Sequence, residues 1–183
     1  MKTIALKMVA LLFGILACTS CTPNIHSAAM RGNTVKIQEF LDQGVDVDQR
    51  WNDESQMTPL MVAATHGKNK AVTFLLNKGA NIEAREKAIG ATALALTSAS
   101  RHTDTMELLL KKGANVHTTI QGKSILAITA ANNDVDHVKM LIKYGADRRD
   151  VSYNYIVGMR AMHVYGQRRT DPEIMNALEA LYR

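Results

Sequence analysis

Six histidines, two cysteines and one tryptophan are the residues of this 183-residue chain with the most chemistry to offer. The histidines stand at positions 26, 66, 102, 117, 137 and 163, and no two are four residues apart. There is no His-Glu-x-x-His run to set two imidazoles on one helical face with a carboxylate base between them, as a zinc hydrolase requires. No serine occupies a G-x-S-x-G turn. Gly122-Lys123-Ser124 lacks the leading glycine that would let a loop wrap a phosphate. The carboxylate pairs Asp46/Asp48 and Asp134/Asp136 read as turn and helix-cap residues, because short acids bond nearby backbone N–H groups. The sequence therefore predicts no catalytic residue, no metal site and no cofactor. Trp51 points elsewhere: Trp, Tyr and Arg are the types most concentrated at interface hot spots.

The elements that must position these residues form a repeated unit, seen best at residues 58–85, TPLMVAATHGKNKAVTFLLNKGANIEAR. Thr58 can cap a helix, and Pro59 suits the first helical position, where its missing N–H would have no partner. Leu60, Ala63 and Ala64 give that helix a slim apolar face, and Gly67 supplies a left-handed stop. A second stripe, Ala71, Val72, Phe74, Leu75 and Leu76, ends at Gly79. Helices this short are marginal alone and must bury their stripes on neighbours. Ile25, Leu60, Leu94 and Leu126 mark successive first helices, and Gly44, Gly79, Gly113 and Gly145 close successive second helices. Both series step by 35, 34 and 32 residues, as the residue numbers give.

First-helix starts reading IHSAAMRGN, TPLMVAATHGK, TALALTSASRH and SILAITAANND, and helix ends FLDQGVDVDQ, LLNKGANIEA, LLKKGANVHT and LIKYGADRRD, resemble ankyrin repeats over roughly residues 23–150. The resemblance implies an all-α repeat solenoid, a stack of helix-turn-helix units with short hairpin fingers. The repeats fall at about 23–50, 51–85, 86–118 and 119–150, with 151–183 a degenerate fifth repeat that caps the stack, because terminal repeats need one polar face. The first repeat has Pro23-Asn24-Ile25-His26 where Thr-Pro-Leu-His is expected, so its helix starts one residue out of step. In the family that histidine bonds the backbone of its own turn. The third repeat has Arg101 in place of the glycine and Thr97-Ser98 in place of paired alanines, so its helix ends should be less regular. The fourth has Asn133 there, the next most tolerant residue.

Ahead of the repeats, Lys2 and Lys7 flank an apolar run over residues 8–17, about ten residues, which suits a signal peptide and is short of the roughly 20 needed to span a bilayer. Ile15-Leu16-Ala17-Cys18 resembles the bacterial lipobox. That resemblance implies cleavage after residue 17, lipidation of Cys18, a tether over residues 18–22, and a domain over 23–183 held at the cell envelope, on the periplasmic side of the outer membrane because Thr19 rather than aspartate follows. Cys21 is the rival lipidation site, and a soluble periplasmic protein the alternative. With both cysteines in this segment, no internal disulfide staples the repeats.

The formal charge of +5 becomes +3 for a chain starting at Cys18, with 20 basic and 17 acidic residues, too mild to suggest nucleic acid. Acids gather at 42–54 and arginines at 148–169, which a linear stack would place at opposite ends. The surface such a stack offers is its fingers and inner helices. Inner-helix positions expected to face outward are Ser27, Met30 and Arg31, then Val62, Thr65 and His66, then Leu96, Ala99 and Ser100, then Ile128, Ala131 and Asn132. The expected protein-binding residues are Trp51, Asp53, Arg31, His66, Lys87, Arg148, Arg149 and Tyr153, with Tyr155 beside the last. The partner expected is a protein, with the membrane reached through the N-terminal lipid and no small-molecule substrate. A toxin neutralised by an immunity protein, a periplasmic enzyme, or a host protein met by an exported effector all fit this reading.

Overall fold

A computed structural model describes residues 24–147, 149–151 and 171–182. Cys18, Cys21, Arg148, Tyr153, Tyr155 and most of the expected capping segment lie outside the described residues. Four helix pairs follow one another: α1 Ile25–Arg31 and α2 Thr34–Asp42, α3 Pro59–Thr65 and α4 Asn69–Asn77, α5 Ala93–Ser100 and α6 Thr103–Lys111, α7 Ile125–Ala131 and α8 Val135–Lys143. A last helix, α9, covers Pro172–Ala180. The odd-numbered helices α1 to α7 form an inner layer, and the even-numbered ones an outer layer, each packing on its own partner and on the next repeat.

Each inner helix begins at a side-chain cap. Asn24, Thr58, Thr92 and Ser124 accept from the backbone N–H three residues on, those of Ser27, Met61, Ala95 and Ala127. Such a cap contributes about 1 kcal/mol. The turn to the outer helix needs one left-handed residue, filled by Gly32, Gly67, Arg101 and Asn133 with φ of 72°, 63°, 57° and 57°. Arg101 adopts the glycine's conformation, and the expected irregularity is small. Helix α5 runs eight residues where α1, α3 and α7 run seven. The bond closing its turn, His102 N–H to Thr97 C=O, is stretched to 3.4 Å against 2.9 Å for Asn33 to Ala28 and for Lys68 to Ala63.

The core is a line of side chains running through the stack: Ile25, Ile37, Leu60, Leu75, Leu94, Leu109, Leu126 and Leu141 are all buried. Where Ala28, Ala29, Ala63 and Ala64 face the interior, α1, α3 and α5 approach closely, since alanine holds backbones apart least. Helices α5 and α7 meet at only a few residues. There Thr97, Ser98 and Thr129 stand in place of alanines, their hydroxyls returned to their own helices at Leu94, Ala95 and Ile125 carbonyls. Val62, expected on the outward face, is instead 1% exposed. Close packing of the inner layer covers that position, and because α3 is apolar from Pro59 to Ala64 its residue types did not separate Val62 from the true surface. The other expected inner-face positions are exposed or half-buried.

The fingers precede the inner helices. The third is a two-residue hairpin, β1 Thr119–Ile120 paired antiparallel with β2 Lys123–Ser124. Gln121 and Gly122 form its tip with φ of 49° and 76°, the two positive values a tight right-twisted hairpin requires. At the far end, α9 lies against α8 with Ile174 and Leu178 fully buried. Its cap Asp171 takes the Glu173 N–H and gives its own N–H to the Asn133 side chain. No helix among the described residues is long and apolar enough to cross a membrane.

Candidate functional site

The first finger spans residues 50–57 and is closed from both sides. The Trp51 N–H donates to the Met57 carbonyl at 2.9 Å, and the buried His26 Nε2–H reaches the carbonyls of Gln49 and Met57 at 2.8 and 3.1 Å. His26 thus bonds the finger leading to the next repeat rather than its own turn. Burial pushes its pKa below the ordinary value, against the raising effect of those carbonyls, so the ring sits neutral with Nε2 as donor. Trp51 stacks on His26, ring centroids 4.9 Å apart at 30°, and is half-buried. One face of the indole holds the finger to α1. Asp53 at the tip is exposed and accepts from Ser55 Oγ and the Gln56 N–H, bonds that lower its pKa, the Ser55 hydroxyl foremost.

Two arginines that the sequence reading passed over tie the fingers together. Arg50 Nη1 donates to the Gln56 carbonyl of its own finger at 3.0 Å and to the Arg85 carbonyl of the next at 2.6 Å. Arg85 repeats the device one unit on, donating to Gly90 and Thr119 carbonyls at 2.7 and 2.9 Å. The signal was present as two arginines 35 residues apart in the same register, with Thr119 breaking the series. The second finger is built on Glu86, whose buried carboxylate accepts from the N–H groups of Ala88, Ile89 and Ala91 at 2.6, 2.8 and 2.9 Å. Lys87 beside it is exposed, and its backbone N–H bonds the Ser55 carbonyl of the first finger.

At the last described finger, His117, Asp147 and Asp150 bring ligand-type atoms within 4.8 Å of one another. Their donors are already engaged. His117 Nδ1 bonds the buried Asp150 carboxylate at 2.8 Å, and the same carboxylate takes the Asp147 N–H. Arg149 grips both Asp147 oxygens through Nε, holding the Asp147 carboxyl down to about 2, and its Nη2 lies 3.3 Å from His117 Nε2. His117, Arg149 and Asp150, with Lys123, Ala127, Ile128, Ala131 and Asn132, line a cavity of about 760 Å³. Met61 and Val62, which correspond to Ala127 and Ile128, are buried in the second repeat.

Of the expected binding residues, Arg31 and His66 lie exposed at the C-terminal ends of α1 and α3, Lys87 on the second finger and Asp53 on the first, with Trp51 half-buried beside it. His66 Nδ1 donates to the Val62 carbonyl, as a helix-end cation or donor should. Arg149 is exposed but bound to Asp147 at the other end of the stack from Trp51, so these residues line one long surface and do not converge on one point.

Comparison with known proteins agrees with this geometry. The family model for ankyrin repeats (3 copies) matches residues 6–86 and 83–152. The chain belongs to the ankyrin-repeat family. It is 34% identical over 92 residues to an ankyrin repeat protein of Fowlpox virus (strain NVSL), covering 50% of this chain and 27% of the relative. It is 41% identical over 70 residues to the ankyrin repeat and KH domain-containing protein mask of Drosophila melanogaster, 38% of this chain and 2% of that one. To an Arf-GAP with coiled-coil, ANK repeat and PH domain of Rattus norvegicus it is 37% identical over 62 residues, 34% of this chain and 8% of that one. The chain thus spans about a quarter or less of the length of these relatives. Ankyrin repeats are protein–protein interaction modules, generally without catalysis.

Proposed function

We propose that this chain is a non-catalytic binding protein that takes a protein partner along its fingers and inner-helix face, held by a lipid on Cys18 at the periplasmic side of the outer membrane. The observation that carries the binding reading is the cross-tied row of fingers standing over exposed inner-helix ends. Arg50 and Arg85 bond one finger to the next, so the surface is set before any partner arrives. A benzoylphenylalanine placed at the exposed Ala99 on α5 should crosslink one partner in cell-envelope preparations, while the same group at Lys70 on α4 should not. Crosslinking from Lys70 alone would move the site to the outer helices and overturn the reading.

The lipid rests on Ile15-Leu16-Ala17-Cys18, and labelled palmitate tests it. Incorporation should be lost in Cys18→Ser and kept in Cys21→Ser. The opposite pattern would assign the lipid to Cys21, and no incorporation in the parent chain would leave a soluble periplasmic protein.

A further inference from the structure

The inner helices carry no aspartate or glutamate at all: they read IHSAAMR, PLMVAAT, ALALTSAS and ILAITAA. Their exposed C-terminal ends bear Arg31, His66 and Arg101. On the opposite rim, Lys87 and Lys123 are exposed on the second and third fingers. Among the described residues, Arg31, Arg101, Lys87 and Lys123 have no ion pair, whereas Lys36, Lys111, Lys139 and Lys143 on the outer layer are each paired with a glutamate. The acids of the later fingers are withdrawn from the surface: Glu86 is buried under three N–H groups, and Asp150 is buried against His117. Among the described finger residues, exposed carboxylates stand at the first finger, in Asp53 and Glu54.

From this distribution we infer that the groove between the inner-helix ends and the fingers takes an extended acidic segment of a partner protein, its carboxylates along the second and third fingers and Arg101, and its non-acidic end against the first finger. The inference rests on the reading that this face is the binding face. The spacing favours a peptide over a nucleic acid. Stacked helices lie roughly 8–10 Å apart, so Lys87 and Lys123, on consecutive fingers, recur at about that distance. An extended chain with the three-residue turn of polyproline II, advancing about 3.1 Å per residue, meets that pitch with an acid at every third position, all on one face. A nucleic acid strand carries a phosphate every ~3.4 Å, and its affinity comes from neutralising many of them at once. Small side chains on the floor, Thr65, Ala99 and Ser100, leave room for a backbone, and like charges across such a face would reject a basic segment.

The test is fluorescence anisotropy with the chain from Cys18 onward and three labelled probes: a Ser/Gly peptide with glutamate at every third position, the same peptide with glutamine, and an oligothymidylate. The glutamate peptide should bind about tenfold more tightly than the glutamine one. Arg101→Glu with Lys123→Glu should weaken it about tenfold or more, and Lys70→Glu with Lys112→Glu on the outer helices by less than about twofold. Lys87→Glu repeats the measurement without touching the left-handed position 101, and thermal unfolding checks that each variant folds. Equal binding of both peptides, equal losses in the two variant pairs, or tighter binding of the oligonucleotide would each overturn the inference. The crosslink at Ala99 separates the two readings. No protein captured there removes the binding face itself, whereas a captured partner crosslinked through a non-acidic segment removes only the acidic-segment inference.

Discussion

Gly67→Ala is expected to destabilise the stack by about 2–5 kcal/mol, read as a lowered urea midpoint, because two effects add at that position. Gly67 has φ of +63°, a conformation that an L side chain adopts at a cost of roughly 1–2 kcal/mol. A Cβ there would also stand 2.7 Å from His102 Nδ1 and 2.8 Å from its Cε1. The ring of the third repeat lies directly on the glycine of the second, and displacing it adds an overpacking cost of about 1–3 kcal/mol. Gly79→Ala supplies the reference. Gly79 has φ of +89° with nothing within 4 Å of its would-be Cβ, so only the backbone cost should appear. His102→Ala combined with Gly67→Ala should recover the steric part, a non-additivity of about 1–2 kcal/mol. Equal losses in the two glycine variants would show that the ring swings away freely and that the two repeats are not keyed together there.

The second large effect is expected at Glu86. Glu86→Ala leaves three backbone N–H groups of the second finger without their acceptor, and hydrogen bonds to charged groups contribute about 1.5–3 kcal/mol each. Ala88 and Ile89 are exposed and regain water, so the net loss should be about 2–3 kcal/mol, with Glu86→Gln losing roughly half of that. Burial is the largest single influence on this carboxyl and raises its pKa. The N–H groups of Ala91, Ile89, Ala88 and Gly90 together outweigh it, so the folded value lies below the ordinary 4.5. The sign follows: the carboxylate's contribution is complete above 4.5 and is lost as the pH falls through the folded value. Unfolding followed against pH should show the parent chain losing stability over that acid window more steeply than Glu86→Gln. Parallel curves would mean that the finger holds its shape without the charge.

The repeat architecture was legible in the sequence because its determinants are local. Thr58-Pro59, Gly67 and Gly79 act within their own turns, and two landmarks recurring at the same intervals fix where neighbours must lie. What was not legible depends on residues a full repeat apart. Trp51 stood out by residue type alone, which cannot say where the ring lies, and the indole stacks on His26, 25 positions earlier, as numbering shows. Val62 looks like a surface position within α3 and is buried by what stacks beside it. Glu86 reads as one more polar finger residue, and nothing in its neighbours' types announces a carboxylate turned inward. The weak meeting of α5 and α7 was not legible: Thr97-Ser98 pointed to irregular helix ends in the third repeat, whereas its effect falls on the packing of the next repeat.

The arginine ties have a consequence for how tightly such a surface can hold anything. A loop that must be frozen by its partner charges that freezing against the complex, about 0.5–1.5 kcal/mol for each side chain immobilised. Here the freezing happens during folding. Arg50 and Arg85 clamp carbonyls of consecutive fingers, and the Lys87 N–H adds a third stitch. The first three fingers therefore meet a ligand as one stiff comb, which favours slow release over broad tolerance. The arginine series ends at Thr119, and among the described residues the tie onward passes instead through His117, bonded to the buried Asp150 carboxylate with Arg149 beside it, so the stitch beyond the third tooth is a charged one that salt and pH can loosen.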